Sequence, residues 1–180
     1  MPDNALRIIG GRWRGRKIHF PQTAELRPTP DRVRETLFNW LGQDLSGRTT
    51  LEPFAGSGAL SLEALSRGAA HAVALDRDSN LVRALRTTGE RLGTTALETH
   101  CVEALSFLAR DRRIYDVVFL DPPFADAAWG RLLPAAAARL APEGRLYVEA
   151  RAPVEPPEGL ELLRRDKAGR VHYHLLRRAG

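Results

Sequence analysis

From residue 48 onward, short apolar runs alternate with stretches of helical periodicity. Residues 50–54, 71–75, 96–102, 116–120 and 145–150 are apolar runs of strand length, the third weaker than the others. The intervening segments predict helices. One follows Gly56-Ser57-Gly58 and ends near Gly68. A second carries Leu81, Leu85, Thr88 and Leu92 on one face, with Asp78 as its cap and Gly93 as its stop. A short helix is expected over 105–109. A last one holds Trp129, Leu132, Leu133, Ala136, Ala137 and Leu140, with Pro134 near its start or at a kink. Repeated strand–helix units imply an α/β fold, a parallel sheet with helices on both faces. Residues 160–165 and 170–177, joined by Asp166-Lys167-Ala168-Gly169, predict a terminal hairpin that adds an antiparallel strand. The Pro-rich segment 152–159 before it predicts a loop or a very short helix.

The first 44 residues follow a different pattern. Residues 6–20 alternate polar and apolar around Gly10-Gly11 and Gly15, which predicts a small β-hairpin. Thr29-Pro30 signals a helix start, with Thr29 as cap. Val33, Leu37, Trp40 and Leu41 continue at helical spacing to Gly42. The expected division is an N-terminal extension over 1–44 and a main domain over 45–180.

Charge sharpens this division. The 180-residue chain has a net charge of +5, and its first 35 residues hold eight basic against four acidic side chains. A basic end favours a polyanionic partner. At 43% hydrophobic the chain can bury a sizeable core. Cys101 is its single cysteine, which excludes an internal disulfide and fits a reducing cytoplasm. No signal-peptide or membrane-spanning pattern is present, so a cytoplasmic protein with no membrane partner is expected. His172 and His174 alternate on a strand without a supporting cluster, so no metal is expected. Trp40 and Trp129 fall on apolar helix faces and are expected in the core.

Ligands of open α/β sheets bind beyond the carboxyl ends of the strands. Asp121-Pro122-Pro123-Phe124 ends one such strand. Proline donates no backbone hydrogen bond, which holds an acceptor pair, the Asp121 carboxylate and the Pro122 carbonyl, rigid beside the Phe124 ring. That arrangement suits a planar group bearing an NH2. Phe54-Ala55-Gly56-Ser57-Gly58 forms a glycine turn after the first main-domain strand. A dinucleotide fingerprint needs a third glycine where Ser61 stands, which disfavours a pyrophosphate ligand and an oxidoreductase. Asp76 ends the next strand, placed to accept ribose hydroxyls, and Glu103-Ala104 follows the third, where it could read an adenine edge. The set describes a pocket for an adenosine without phosphates, which fits S-adenosylmethionine (SAM), beside a site for a nucleobase amine. Either Glu52 or Asp121 could meet the methionine amino group.

With these motifs the chain resembles the Asp/Asn-Pro-Pro-aromatic class of SAM-dependent amino-methyltransferases. More narrowly it resembles the bacterial 16S rRNA (guanine(966)-N(2))-methyltransferase family. The resemblance lies in Arg7-Ile8-Ile9-Gly10-Gly11-Arg12-Trp13-Arg14-Gly15-Arg16-Lys17, in Leu26-Arg27-Pro28-Thr29 and in the segment 31–40. It continues through Phe54-Ala55-Gly56-Ser57-Gly58-Ala59-Leu60, the segment 62–67 and Asp121-Pro122-Pro123-Phe124. The chain departs from the family at Asp76, where Glu is expected, and at Glu103, where Asn or Asp is usual. The resemblance implies a Rossmann-like class I methyltransferase fold with a mostly parallel seven-stranded sheet. It implies methyl transfer to the N2 amine of a guanine in a 16S rRNA hairpin loop near the P site. The substrate would be the 30S subunit or a late assembly intermediate, and the enzyme a monomer. The candidate catalytic residues are Asp121, Pro122 and Phe124. The candidate cofactor-binding residues are Thr29, Glu52, Phe54, Ala55, Gly56, Ser57, Gly58, Asp76, Arg77, Glu103, Ala104 and Asp121. Arg12, Trp13, Arg14, Arg16, Lys17, Arg27, Arg32 and Arg34 are candidate rRNA contacts, with Trp13 open between stacking on a base and covering the hairpin. The competing readings are the same chemistry on another rRNA base, on DNA or on a protein amide, and a non-catalytic ribosome assembly factor.

Overall fold

The computed structural model describes residues 4–23, 26, 28–123 and 128–180. The N-terminal hairpin pairs β1 (Asn4–Arg7) with β2 (Lys17–Phe20), antiparallel, around a single 3-10 turn at Gly11–Trp13. Helix α1 (Asp31–Leu41) follows. The main domain then runs β3 (Thr49–Glu52), α2 (Ala59–Ser66), β4 (His71–Asp76), α3 (Ser79–Arg91), β5 (Leu97–Cys101), α4 (Ala104–Arg110) and β6 (Tyr115–Leu120). It ends with α5 (Trp129–Ala137), β7 (Leu140–Ala150), β8 (Leu160–Ala168) and β9 (Val171–Arg178). The seven main-domain strands form one sheet in the order β5-β4-β3-β6-β7-β9-β8. Strands β3 to β7 are parallel, and β9 pairs antiparallel with both β7 and β8. This is the expected class I methyltransferase sheet with its terminal hairpin. The order reverses at β3 and β6, so their carboxyl ends flank a crevice.

Strand alternation sends each sheet face into its own core. On β6, Val117 and Phe119 enter a cluster with α1, α2, α3 and the hairpin. Val118 and Leu120 enter the opposite cluster, with Leu108 of α4 and Leu132, Leu133 and Ala136 of α5. The hairpin residues Ile8, Trp13, Ile18 and Phe20 belong to the first cluster. The hairpin and α1 therefore share a core with the main-domain sheet.

Several boundaries differ from the expected ones for backbone reasons. Strand β3 stops at Glu52, because Pro53 has no N–H for the ladder. Pro30, not Thr29, occupies the N-cap of α1; the Thr29 hydroxyl donates to the Glu149 carboxylate instead. Strand β7 begins at Leu140, five residues early, and reaches Arg145 through a register shift against β6. Pro134 sits inside α5. Segment 152–159 contains no helix. Trp40 and Trp129 are both partly buried against the core: Trp40 stacks on Tyr173 at 5.4 Å, and Trp129 also lines a cleft of about 500 Å³ with Leu133, Pro153 and Val154. Among the described residues, no helix is long and apolar enough to cross a membrane.

All eight residues of α2 are buried. Its polar side chains must find partners inside, since an unpaired buried polar group is costly. Glu63 has no exposed side-chain surface and accepts from the amides of Ile9 (2.9 Å) and Gly10 (2.8 Å), from Arg67 Nε (3.0 Å) and from Arg34 (3.5 Å). Ser66 donates to the Gly10 carbonyl and accepts from the Trp13 amide. The contact is so close that a Cβ on Gly11, at φ +77°, would fall 2.0 Å from the Ser66 carbonyl oxygen.

Arg34, an expected RNA contact, is placed inside the fold, and the two readings of Trp13 separate here. Arg34 has no exposed surface; its guanidinium binds Glu63, Asp31 and the Arg7 and Thr29 carbonyls. Trp13 is 7% exposed and lies beneath the Arg12 guanidinium at 4.3 Å, so its ring covers the hairpin and is not free to stack on a base. Removing one partner of a buried pair strands the other charge. Arg34→Ala should accordingly lower unfolding stability by about 3–5 kcal/mol in a denaturant titration. A loss below about 1 kcal/mol would show that the hub does not hold the fold.

Candidate active site

Four carboxyl side chains gather at the carboxyl edge of the central strands: Glu52 on β3, Asp76 on β4, Asp121 after β6 and Glu149 on β7. Glu52 is buried and accepts from the Ser61 amide (2.7 Å) and hydroxyl (2.5 Å). Ser61, the residue that breaks the dinucleotide fingerprint, thus fastens α2 to the end of β3. Asp76 accepts from the Gly56 amide (3.0 Å) through one oxygen and from the Asp78 amide (2.9 Å) through the other. Those bonds fix the carboxylate's direction and leave each oxygen a lone pair.

The glycine turn is shaped by its own backbone. Gly56 and Gly58 have φ of +55° and +78°, and a Cβ on Gly58 would lie 2.2 Å from Leu85 Cδ1. The Ala55 amide donates to the Leu75 carbonyl, and Gly58 to the Ala55 carbonyl, so the turn is pinned to β4. Ala55 and Ser57 are buried, whereas Phe54 and Gly56 keep partial exposure.

Asp121 is partly exposed and Pro122 is buried. Leu120 pairs with Val148 across β6 and β7, so Asp121 stands beside Glu149, and the two carboxyls act on each other. Glu149 Oε1 also accepts from Tyr147 OH (2.6 Å) and Thr29 Oγ1 (3.1 Å). Burial pushes Glu52 up to about 8, against the Ser61 hydrogen bonds and with help from Asp76 and Glu149. Burial first, then the charge of Glu149, raises Asp121 well above the ordinary carboxylate range. Burial also raises Glu149, though its hydroxyl donors oppose the shift. Such a set is poised for a cation, which would relieve the repulsion. The donor chemistry and the glycine cradle fit SAM, whose sulfonium and ammonium are both cationic. Glu52, Asp76, Asp121 and the turn 54–58 could hold it.

Other expected contacts are placed differently. Glu103 caps α4, its carboxylate accepting from the Leu105 (3.1 Å) and Ser106 (2.8 Å) amides, and Ala104 is buried behind it. The Glu103 carboxylate is therefore committed to the helix end. Arg77 is exposed, and its carbonyl meets Cys101 Sγ at 3.5 Å. Arg12, Arg14, Arg16, Lys17 and Arg32 are exposed. Arg12 and Arg14 line a groove of about 800 Å³ between the hairpin, α1 and the end of α2. Arg27 and Phe124 lie outside the described residues.

Glu149 was legible by the same signal as Asp121, an acid at the carboxyl end of an apolar run, but nothing local singled it out. His174 likewise has a role that its spacing did not reveal. Its ring bonds the Val148 carbonyl at one nitrogen and accepts the Val154 amide at the other, tying the loop after β7 to the sheet. Burial lowers its pKa, which keeps it neutral for both bonds.

Sheet order, glycine turn and acidic strand ends define a class I methyltransferase that uses SAM. The chain belongs to the family described as "Conserved hypothetical protein 95", whose model matches residues 6–177. It is 40% identical to Ribosomal RNA small subunit methyltransferase D of Escherichia coli (strain K12) over 188 residues, covering 96% of this chain and 90% of that one. It is 38% identical to the protein of the same name from Haemophilus influenzae, covering 94% and 92%. The solved structure of Escherichia coli yhhF, which bears a methyltransferase name, matches with a TM-score of 0.88 at 40% identity, covering 97% of this chain and 98% of that one.

The raised Glu52 pKa has a consequence for stability. In the unfolded chain Glu52 ionises near 4.5, whereas in the folded protein it holds its proton to about 8. Its contribution is full below the unfolded value and is lost as pH rises through that window, at up to about 1.4 kcal/mol per pH unit. The thermal midpoint of cofactor-free protein should fall between pH 5 and 8, and Glu52→Gln should flatten that fall. Parallel curves for the two proteins would mean that Glu52 is ionised throughout.

Proposed function

We propose that this protein methylates the exocyclic N2 amine of a guanine in 16S rRNA, acting as a cytoplasmic monomer on the 30S subunit or a late assembly intermediate. The observation that carries this reading is the position of Asp121-Pro122 at the carboxyl end of β6, beside Glu52 and Glu149, in a chain 40% identical to a small-subunit rRNA methyltransferase. The exposed cations Arg12, Arg14, Arg16, Lys17 and Arg32 supply a surface for phosphates. In this reading Asp76 holds the ribose, the turn 54–58 lies along the cofactor, and Glu52 serves its ammonium. Thr29 reaches the pocket through Glu149.

SAM supplies an electrophilic methyl group. The protein's task is to present a weak nucleophile, since the guanine amine delocalises its lone pair into the ring. Hydrogen bonds from the amine to the Asp121 carboxylate and the Pro122 carbonyl draw the nitrogen toward tetrahedral geometry and aim that lone pair. Positioning of this kind is worth up to roughly 7–11 kcal/mol in well-oriented systems. The base must leave its stack to enter, which favours a loop nucleotide. From the sequence, Phe124 supplies a stacking face worth roughly 1–3 kcal/mol.

Asp121→Ala should reduce methylation of 30S subunits by radiolabelled SAM about 100-fold or more, with SAM affinity measured separately by calorimetry. Near-normal turnover would remove Asp121 from the reaction. Mapping the labelled nucleotide, with free 16S rRNA and DNA as parallel substrates, tests the target. Label on DNA alone would overturn it.

Reversing Arg12, Arg14 and Arg16 to Glu should weaken RNA binding and reduce the slope of log K against log salt by about 2–3. SAM affinity should be unchanged. An unaltered slope would move the RNA-binding face elsewhere.

A further inference from the structure

We propose that Glu149 is the proton-sharing partner of Asp121, a positioning residue that governs when the Asp121 carboxylate can receive the proton released by methyl transfer. The proposal rests on the amine-clamp reading of Asp121 given above.

Strands β6 and β7 are parallel neighbours with Leu120 opposite Val148, so Asp121 and Glu149 stand side by side, each one residue further on. Each carboxyl acts on the other's titration, and two adjacent buried carboxyls cannot both ionise without strong repulsion, so the pair favours one shared proton before the cofactor binds. The Tyr147 and Thr29 hydroxyls both donate to Glu149 Oε1, at 2.6 and 3.1 Å. Two donors favour the charge on Glu149, which leaves the shared proton on Asp121. A clamp carrying that proton is a poor acceptor for an amine. A cation in the pocket releases it, so bound SAM prepares Asp121 for the base.

The ionisable groups acting on the pair come from three further places. Glu52 on β3 adds charge, with Asp76 on β4 acting through it; Tyr147 lies on β7 itself; Tyr173 on β9 stands opposite Glu149 and acts on Tyr147. Burial raises both members of the pair, which agrees with one retained proton.

The step balances without an added reactant. The acceptor nitrogen bonds to the methyl carbon as the carbon–sulfur bond breaks, and that bond's electron pair stays on sulfur. The nitrogen then carries one surplus proton. It passes to Asp121 and is held between Asp121 and Glu149, restoring the shared proton of the resting pair. No separate base is needed.

Glu149→Gln in the full chain keeps the hydrogen-bonding shape and removes the sharing. Turnover on 30S subunits should fall about tenfold or more, while SAM affinity, no longer linked to release of a shared proton, becomes less dependent on pH. The acid limb of the kcat profile should move to lower pH, because no second carboxyl raises Asp121. A readout that needs no RNA is the 13C NMR titration of the Asp121 carboxyl, whose midpoint should fall by roughly one unit or more in the variant. Tyr147→Phe keeps both carboxyls but removes a donor from Glu149, and should move the Asp121 titration as the proton shifts between the two. An unmoved Asp121 titration in Glu149→Gln, or in Tyr147→Phe if the first variant does not fold, overturns the proposal. Asp121→Ala, which removes the acceptor altogether, run alongside separates the two readings. If it is inactive while Glu149→Gln behaves as wild type, only the sharing fails. If it is fully active, the clamp fails.

Discussion

A carboxylate with no access to solvent, Glu63, holds this molecule together. It lies in the middle of α2, a helix buried on every side, and gathers donors from both parts of the chain: the Ile9 and Gly10 amides and the Arg34 and Arg67 side chains. Each of these groups would be costly to bury alone. Together they are satisfied only when the hairpin, α1 and α2 adopt one arrangement. The basic surface is thereby fixed in direction relative to the sheet.

The same helix reaches the chemistry. Its Ser61 holds Glu52, and the glycine turn before it is tied to Asp76. At one end α2 supports the cofactor pocket; at the other, Ser66 seats the 3-10 turn. The second link between extension and pocket is Thr29, whose hydroxyl bonds Glu149 beside Asp121. Thr29 thus ties the segment before α1 directly to the group of strand-end acids. Burying these carboxyls close together raises the pKa of Glu52, Asp121 and Glu149 and costs stability wherever they must ionise.

Where local pattern and backbone chemistry agree, the chain is legible. The alternation of apolar runs and helical faces, the caps at Asp78 and Gly42, and the terminal hairpin all follow from periodicity and turn residues. Asp76 and Asp121 stand at strand ends as the apolar runs before them predict. Charge alone misled at Arg34 and aromaticity left Trp13 open, since neither property says which way a side chain faces.

The sequence by itself therefore determined the order of elements, the sheet class, the glycine turn and the positions of Asp76 and Asp121 at strand ends. Those are properties of neighbouring residues, set by backbone geometry and hydrophobic period. Only the tertiary structure decided which polar groups meet. Glu63 and Arg34 are 29 residues apart, and Thr29 and Glu149 are 120 apart. Burial forces such groups to pair, but the choice of partner depends on how the elements pack, which no local pattern records.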